Sequence, residues 1–252
     1  MCLPLRDIMN EALVSTIRER CQHTLAEIAE AASKSGREAE AVRLVVVSKS
    51  QPLEVVQAAV AAGITVFGEN YAEEAVAKMA ALKETGVEWH MIGHVQSRKA
   101  GLVAEHFTML HSLDSPKLAR RLDRFCAESG RSLPVLLEFN VSGEESKSGF
   151  RAWDENCWVQ LLPDIEQVLL LPHLRPQGLM TMPPYFDDPE QSRPYFQKLC
   201  RLQAFLTQRL PGSDWPELST GTSADFLVAV QEGATYVRVG QAILGPRKRV
   251  AN

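Results

Sequence analysis

Eight short apolar or β-branched runs, separated by stretches of helical periodicity, pass through this chain between residues 44 and 239, and no other feature constrains its fold as tightly. They are residues 44–48, 65–67, 88–92, 109–113, 135–140, 177–182, 217–219 and 236–239. Strands that alternate with helices pair in parallel, because each return crossing needs a helix's length of chain. Eight such units in 252 residues is the size of one (β/α)8 TIM-type barrel, a single α/β domain over residues 1–252. The punctuation agrees. Pro52 and Pro116 suit first helical turns, Asn70 and Ser223 suit N-caps, and Gly63, Gly86, Gly130 and Gly233 suit helix ends. A doubly wound open sheet is the rival, but it usually carries a glycine-rich turn after its first strand, where this chain has Ser48-Lys49-Ser50-Gln51-Pro52. Ahead of the first run, Leu13, Ile17, Cys21, Leu25, Ile28 and Ala32 recur at helical spacing up to Gly36. Residues 1–40 therefore predict an extra N-terminal helix packed on the barrel.

Composition narrows the function classes. A net charge of -4 leaves no basic surplus to collect a nucleic-acid backbone. The start meets Arg6 and Asp7 before any export-length apolar stretch, and no later run reaches a membrane span, which predicts a cytoplasmic protein. Five scattered cysteines, Cys2, Cys21, Cys126, Cys157 and Cys200, lack metal or redox spacing and read as free thiols serving as small core hydrophobes.

In a barrel of this kind the functional face collects the C-terminal ends of the strands. Lys49 closes the first run and is a candidate nucleophilic amine; its bland reading is a solvated lysine at a strand end. Imine chemistry at neutral pH needs partial burial or cationic neighbours to release the free base, and Lys147 and Arg238 are candidates for that role. After the seventh run, Ser219-Thr220-Gly221-Thr222-Ser223 forms a small-residue turn whose amides suit an anion, and Gly240-Gln241 after the eighth run occupies the other usual phosphate position of such barrels. Ordinary capping explains either turn alone; together they predict a phosphate cradle. About four charge-assisted hydrogen bonds at ~1.5–3 kcal/mol each are largely cancelled by association costs of ~4–15 kcal/mol, so a covalent bond from Lys49 is what would retain the ligand. An amine beside an anion site holds an aldehyde phosphate as a Schiff base, and pyridoxal 5′-phosphate is the commonest such cofactor. Asn70 follows the second run, as a ligand contact or a cap. His90 and His94 are four residues apart, but Gly93 between them argues against one helical metal face.

These motifs resemble the YggS/PROSC family of pyridoxal phosphate homeostasis proteins from about residue 44 to Arg247. Val47-Ser48-Lys49 resembles the family's cofactor-lysine strand end, Phe67-Gly68-Glu69-Asn70 its second-strand turn, and Trp89 to Gln96 its third-strand signature. Asn140 to Gly149 resembles its Ser-Lys-Ser-Gly loop, Gly178-Leu179-Met180-Thr181-Met182-Pro183 its sixth-strand end, and residues 219–225 with 237–245 its phosphate turns. The departures are Ser50 for threonine, Arg98 for asparagine, Thr220 and Thr222 for methionines, and Gln241 for threonine. The resemblance implies a monomeric or weakly associating barrel like the N-terminal domain of alanine racemase, a fold type III arrangement, with pyridoxal phosphate on Lys49. It implies cofactor contacts from Asn70, Met180, Ser219, Gly221, Thr222, Ser223, Arg238, Gly240 and Gln241.

The function expected is carriage and homeostasis of pyridoxal phosphate, captured free and released to apo-enzymes, without established catalysis. A racemase or lyase is the alternative; it needs a placed second acid or base and an electron-withdrawing ring. The chain's end at Asn252 is read as leaving no room for the β-domain that serves alanine racemase. A Schiff-base aldolase would share the lysine and the cradle but be colourless. Arg238 faces either the phosphate or the ring nitrogen. Lys147, in its polar loop, is either a surface lysine or a second amine during cofactor transfer.

Overall fold

Arg43–Val47 (β1), the strand Arg-Leu-Val-Val-Val, sits at the centre of the order in which the sheet is wound, paired in parallel with Val66–Glu69 (β2) on one side and Tyr236–Val239 (β9) on the other. The computed structural model describes residues 5–246, apart from the side chains of residues 5–10, so Cys2 and Arg247 lie outside the described residues. From β2 the sheet continues through Glu88–Met91 (β3) to Met109–Leu113 (β4), and from β9 through Glu217–Thr222 (β8) and Leu174–Met180 (β7) to Leu133–Asn140 (β5). Pairing of β4 with β5 closes these eight parallel strands into a barrel. A two-residue strand, Phe150–Arg151 (β6), pairs with the last two residues of β5 outside the closed ring. It is a ninth strand, too short for an apolar run to announce.

Helices return the chain between strands: Leu53–Ala61 (α2), Ala72–Leu82 (α3), Ala100–His106 (α4), Pro116–Glu128 (α5), Leu162–Leu169 (α6), Arg193–Arg209 (α7), Phe226–Gln231 (α8) and Gln241–Leu244 (α9). Pro116 opens α5 as expected, while Pro52 stands one residue ahead of α2. The two N-cap expectations do not hold. Tyr71 precedes α3 and Asp225 precedes α8, so neither Asn70 nor Ser223 occupies a capping position.

The long first helix, Leu5–Lys34 (α1), packs against α2, α8 and α9. Its buried face runs through Ile17, Thr24, Ile28, Ala31 and Ala32; Leu25, expected on that face, is 46% exposed. Arg37, just beyond α1, donates to the carbonyls of Val230 and Ala234 at 2.6 and 2.9 Å, tying α1 to the end of α8. The four described cysteines are free, but only Cys126 is fully buried; Cys157 donates its thiol to Asp154 Oδ2 at 3.3 Å on the surface. No helix among the described residues is long and apolar enough to cross a membrane.

Two layers of core result. Between sheet and helices lies a large apolar cluster, and inside the barrel a small one of Val45, Met109, Leu136, Met180 and Tyr236. Polar groups are interleaved with that small plug: His90 pairs in register with Met109, Ser219 with Met180 and Tyr236, and the buried His90 and His111 rings pack against Tyr236.

Candidate functional site

Past β1 the chain turns sharply, with Ser50 in the left-handed region at φ 57°. That conformation costs a non-glycine residue about 1–2 kcal/mol, so something must hold it. The Ser50 N–H donates to Glu74 Oε1 of α3 at 2.8 Å. Gln51 donates to the carbonyl of Gly245 at 3.1 Å, joining this turn to the one after β9. Lys49, between these anchors, lines a cavity of about 260 Å³ at the C-terminal ends of the strands.

The same cavity is lined by Asn70 after β2, by Thr222, Ser223 and Ala224 at the end of β8, and by Gly240 and Gln241 after β9. Two glycines shape it. At Gly240, just after β9, an added Cβ would sit 3.0 Å from the Val47 carbonyl oxygen and 3.2 Å from the Val47 Cβ, so a side chain there would push the end of β1 away by a few tenths of an ångström. Gly221 has φ 87° and lies within a register shift between β8 and β9, a bulge immediately before Thr222. Asp225 then accepts from both the amide and the hydroxyl of Thr222, at 2.7 and 3.1 Å. Thr222 is thereby committed to the turn itself. Among the described residues no acceptor meets the amides of Ser223 and Ala224, which are the donors open to an anion. Since α8 has six residues and α9 four, these local amides matter more than any helix macrodipole.

Arg238 also lines the cavity, yet its guanidinium is fastened to β8 and to the two residues that follow β7. It donates to Ser219 Oγ and, at 3.0 Å, to the Thr181 carbonyl, and lies 2.9 Å from Met182 Sδ. A guanidinium only donates, so the Ser219 hydroxyl accepts from it, and the same oxygen lies 2.8 Å from His111 Nδ1. His111 Nε2 in turn lies 3.0 Å from His90 Nδ1, which completes a hydrogen-bonded chain from Arg238 to His90. Both rings are held neutral: burial brings His90 down to about 4 and pushes His111 the same way. Burial also lowers Arg238 to about 10. Nearby Glu138 moves oppositely, to about 7, because burial and then Asp114 disfavour its charge more than Arg238 and Lys147 favour it.

The structure thus brings Lys49, Asn70, Thr222, Ser223, Arg238, Gly240 and Gln241 into one cavity. It keeps Met180 in the apolar plug, Ser219 beneath Arg238, and Gly221 against Ala229 and Phe226, so these three shape the surroundings rather than line the cavity. Met182 and Tyr185 line it instead, the latter 78% exposed at the mouth. Tyr185 belongs to the proline-rich stretch after the sixth run, a signal available in the sequence. Lys147 lines a neighbouring cavity of about 500 Å³ with Asn140 and Trp153, and its amine donates to the Pro183 carbonyl at 3.3 Å. His94 sits at the rim against Asp114, 3.0 Å away, and shares no metal face with the inward His90.

Comparison with known proteins identifies the relatives of this arrangement. The family described as alanine racemase, N-terminal domain, matches residues 19–248. A Vibrio alginolyticus relative named pyridoxal phosphate homeostasis protein is 39% identical over 238 residues, 93% of this chain and 99% of that one. The structure of PipY from Synechococcus elongatus with PLP bound is 36% identical, with a TM-score of 0.75, over 86% of this chain and 100% of its own. An alanine racemase from Clostridium difficile, 14% identical with a TM-score of 0.62, covers 87% of this chain and 58% of its own length; it shares the fold alone.

Proposed function

This chain belongs to the family of pyridoxal phosphate homeostasis proteins, and from that premise we propose that it binds pyridoxal 5′-phosphate on Lys49 and carries it, captured free and released to apo-enzymes that use it. The observation that carries the reading is the meeting of Lys49 with the Ser223-Ala224 turn in one cavity. The residues present fit the group. An amine, two open amides and a glycine-lined wall suit an aldehyde phosphate, and the buried Asn70 side-chain oxygen, without a hydrogen-bond partner among the described residues, suits a ligand donor. When bound, pyridoxal phosphate supplies an aldehyde that condenses reversibly with a primary amine, with loss of water.

Lys49 is the covalent anchor in this reading, and Ser223, Ala224, Gly240 and Gln241 hold the phosphate. Thr222 and Gly221 set the turn. Arg238, fastened to Thr181, Met182 and Ser219, serves the floor of the cavity rather than the anion turn, and Met180 and Ser219 support it from below. The exposed Tyr185 and Met182 leave the mouth open to exchange, which suits a carrier acting as a monomer in the cytoplasm.

Incubation with pyridoxal phosphate is expected to give a yellow protein, and borohydride is then expected to bleach it and fix one cofactor on the peptide containing Lys49. Lys49→Ala is expected to lose the adduct and keep weak, phosphate-dependent binding. An adduct on another lysine, or none, overturns the reading; turnover of an amino acid at ordinary enzyme rates would replace carriage with racemase or lyase activity. Lys147, next to the Pro183 segment that leads to Tyr185, is assigned as the second amine in transfer. Lys147→Ala is expected to slow delivery to an apo-enzyme several-fold with retention unchanged, and equal delivery rates would remove it from the path.

A further inference from the structure

Helix α3 buries a lysine. Its inner face reads Ala72, Ala75, Lys78, Leu82, and the Lys78 side chain is only 6% exposed. A buried ammonium is retained only where every donor finds an acceptor. Lys78 Nζ donates to Glu69 Oε1 at 2.7 Å, to Glu74 Oε1 at 2.7 Å and to the Ser48 carbonyl at 2.8 Å. Ser48 returns the contact, its hydroxyl donating to the same Glu69 oxygen at 2.7 Å. Glu74 Oε1, held by Lys78, is also the acceptor for the left-handed Ser50 amide. The residue before Lys49 and the residue after it are therefore both fastened to one buried ammonium.

We propose that Lys78 is a positioning residue for Lys49: through Ser48 on one side, and through Glu74 and Ser50 on the other, it fixes the strained turn that presents the Lys49 amine to the cavity before any ligand arrives. The inference rests on Lys49 being the cofactor-bearing amine. Its chemistry is preorganisation, since a turn held in advance spares the ordering cost at the moment of binding. The device is reached from β1, β2 and α3 together, and among the described residues none of its hydrogen bonds reaches the phosphate turn.

Three readouts test it in the parent, in Lys78→Met, and in the Lys78→Met/Glu69→Gln double variant, which avoids a lone buried carboxylate. They are hydrogen exchange of the peptide spanning 48–52 without added ligand, the rate of borohydride-trappable adduct formation with pyridoxal phosphate, and affinity for pyridoxine phosphate, which lacks the aldehyde. Loss of Lys78 is expected to speed exchange in that peptide and to slow adduct formation at least tenfold, with pyridoxine phosphate affinity kept within about twofold. Glu74→Ala, at a partly exposed position, is expected to act in the same direction, and Glu74→Gln, which keeps an acceptor for the Ser50 amide, to restore most of the rate. Unchanged exchange, an unchanged adduct rate, or equal losses in rate and pyridoxine phosphate affinity overturn the proposal. A parent that forms no adduct at Lys49 sinks the reading beneath it instead.

Discussion

Gly221→Ala is expected to lose about 2–5 kcal/mol of stability and most of the retained phosphate ligand. Two costs add at this position. With φ at 87°, any side chain pays about 1–2 kcal/mol for the left-handed region. The added Cβ would also lie 2.6 Å from the Ala229 Cβ and 2.9 Å from the Phe226 Cα, overpacking that costs about 1–3 kcal/mol. Relief can come only by moving α8 or straightening the β8 bulge, and either shift carries the following residues, Thr222, Ser223 and Ala224, with it. Gly36→Ala is the control. Its φ is 70°, but nothing lies within 4 Å of the Cβ, so only the conformational cost of about 1–2 kcal/mol applies. Urea unfolding of both variants, with pyridoxal phosphate retention measured beside it, checks the difference; equal stability losses would show that the close packing behind the turn is immaterial.

What the sequence disclosed was local. Lys49 at a strand end and small residues at 219–223 sit within a few positions of their own strands, so the eightfold rhythm was enough to bring them to one face. Contacts that depend on inter-element packing were silent. Glu69 and Lys78 meet Ser48 across separations of 21 and 30 residues, and a lysine in a helix with acidic neighbours reads as a solvated face until its helix is docked. Met180 and Met182 illustrate a subtler failure. Met180 is the last residue of β7 and joins the inner cluster, whereas Met182 lies two residues past the strand end and lines the cavity, a difference set by where the strand stops. Ser223 and Asn70 looked like caps because their residue types favour it, but α8 and α3 start later than their local sequence advertises. The orientation of Arg238 was open for the same reason as Lys78: its partners are Ser219 on β8 and Thr181 and Met182 just past β7, distant in the sequence.

Glu138→Gln is expected to raise stability by roughly 3 kcal/mol at pH 8 and to change nothing at pH 4. Burial and Asp114 lift the Glu138 carboxyl from 4.5 to about 7, and one of its oxygens is buried without a partner among the described residues. At ~1.36 kcal/mol per pH unit, that separation is worth roughly 3 kcal/mol. Its sign follows from proton binding: between pH 4.5 and 7 the folded carboxyl keeps a proton that the unfolded one has released, so its contribution is whole below 4.5 and is lost as pH rises through 7. Glutamine mimics the protonated form and removes the loss, raising the melting temperature at pH 8 by about 2–4 °C per kcal/mol. The buried histidines act with the opposite sign. His90, lowered from 6.5 to about 4 by burial and then Arg43, contributes stability that is whole above 6.5 and falls away as pH drops toward 4, and His111 shifts in the same direction. Between pH 4.5 and 6.5 the carboxyl and the imidazoles therefore oppose each other in the parent. Removing the carboxyl leaves the imidazoles alone, so Glu138→Gln should lose stability on acidification more steeply than the parent across this interval. Thermal melts of both proteins at pH 4, 5, 6, 7 and 8 decide it: a constant offset at every pH would mean that the gain comes from packing and not from the proton.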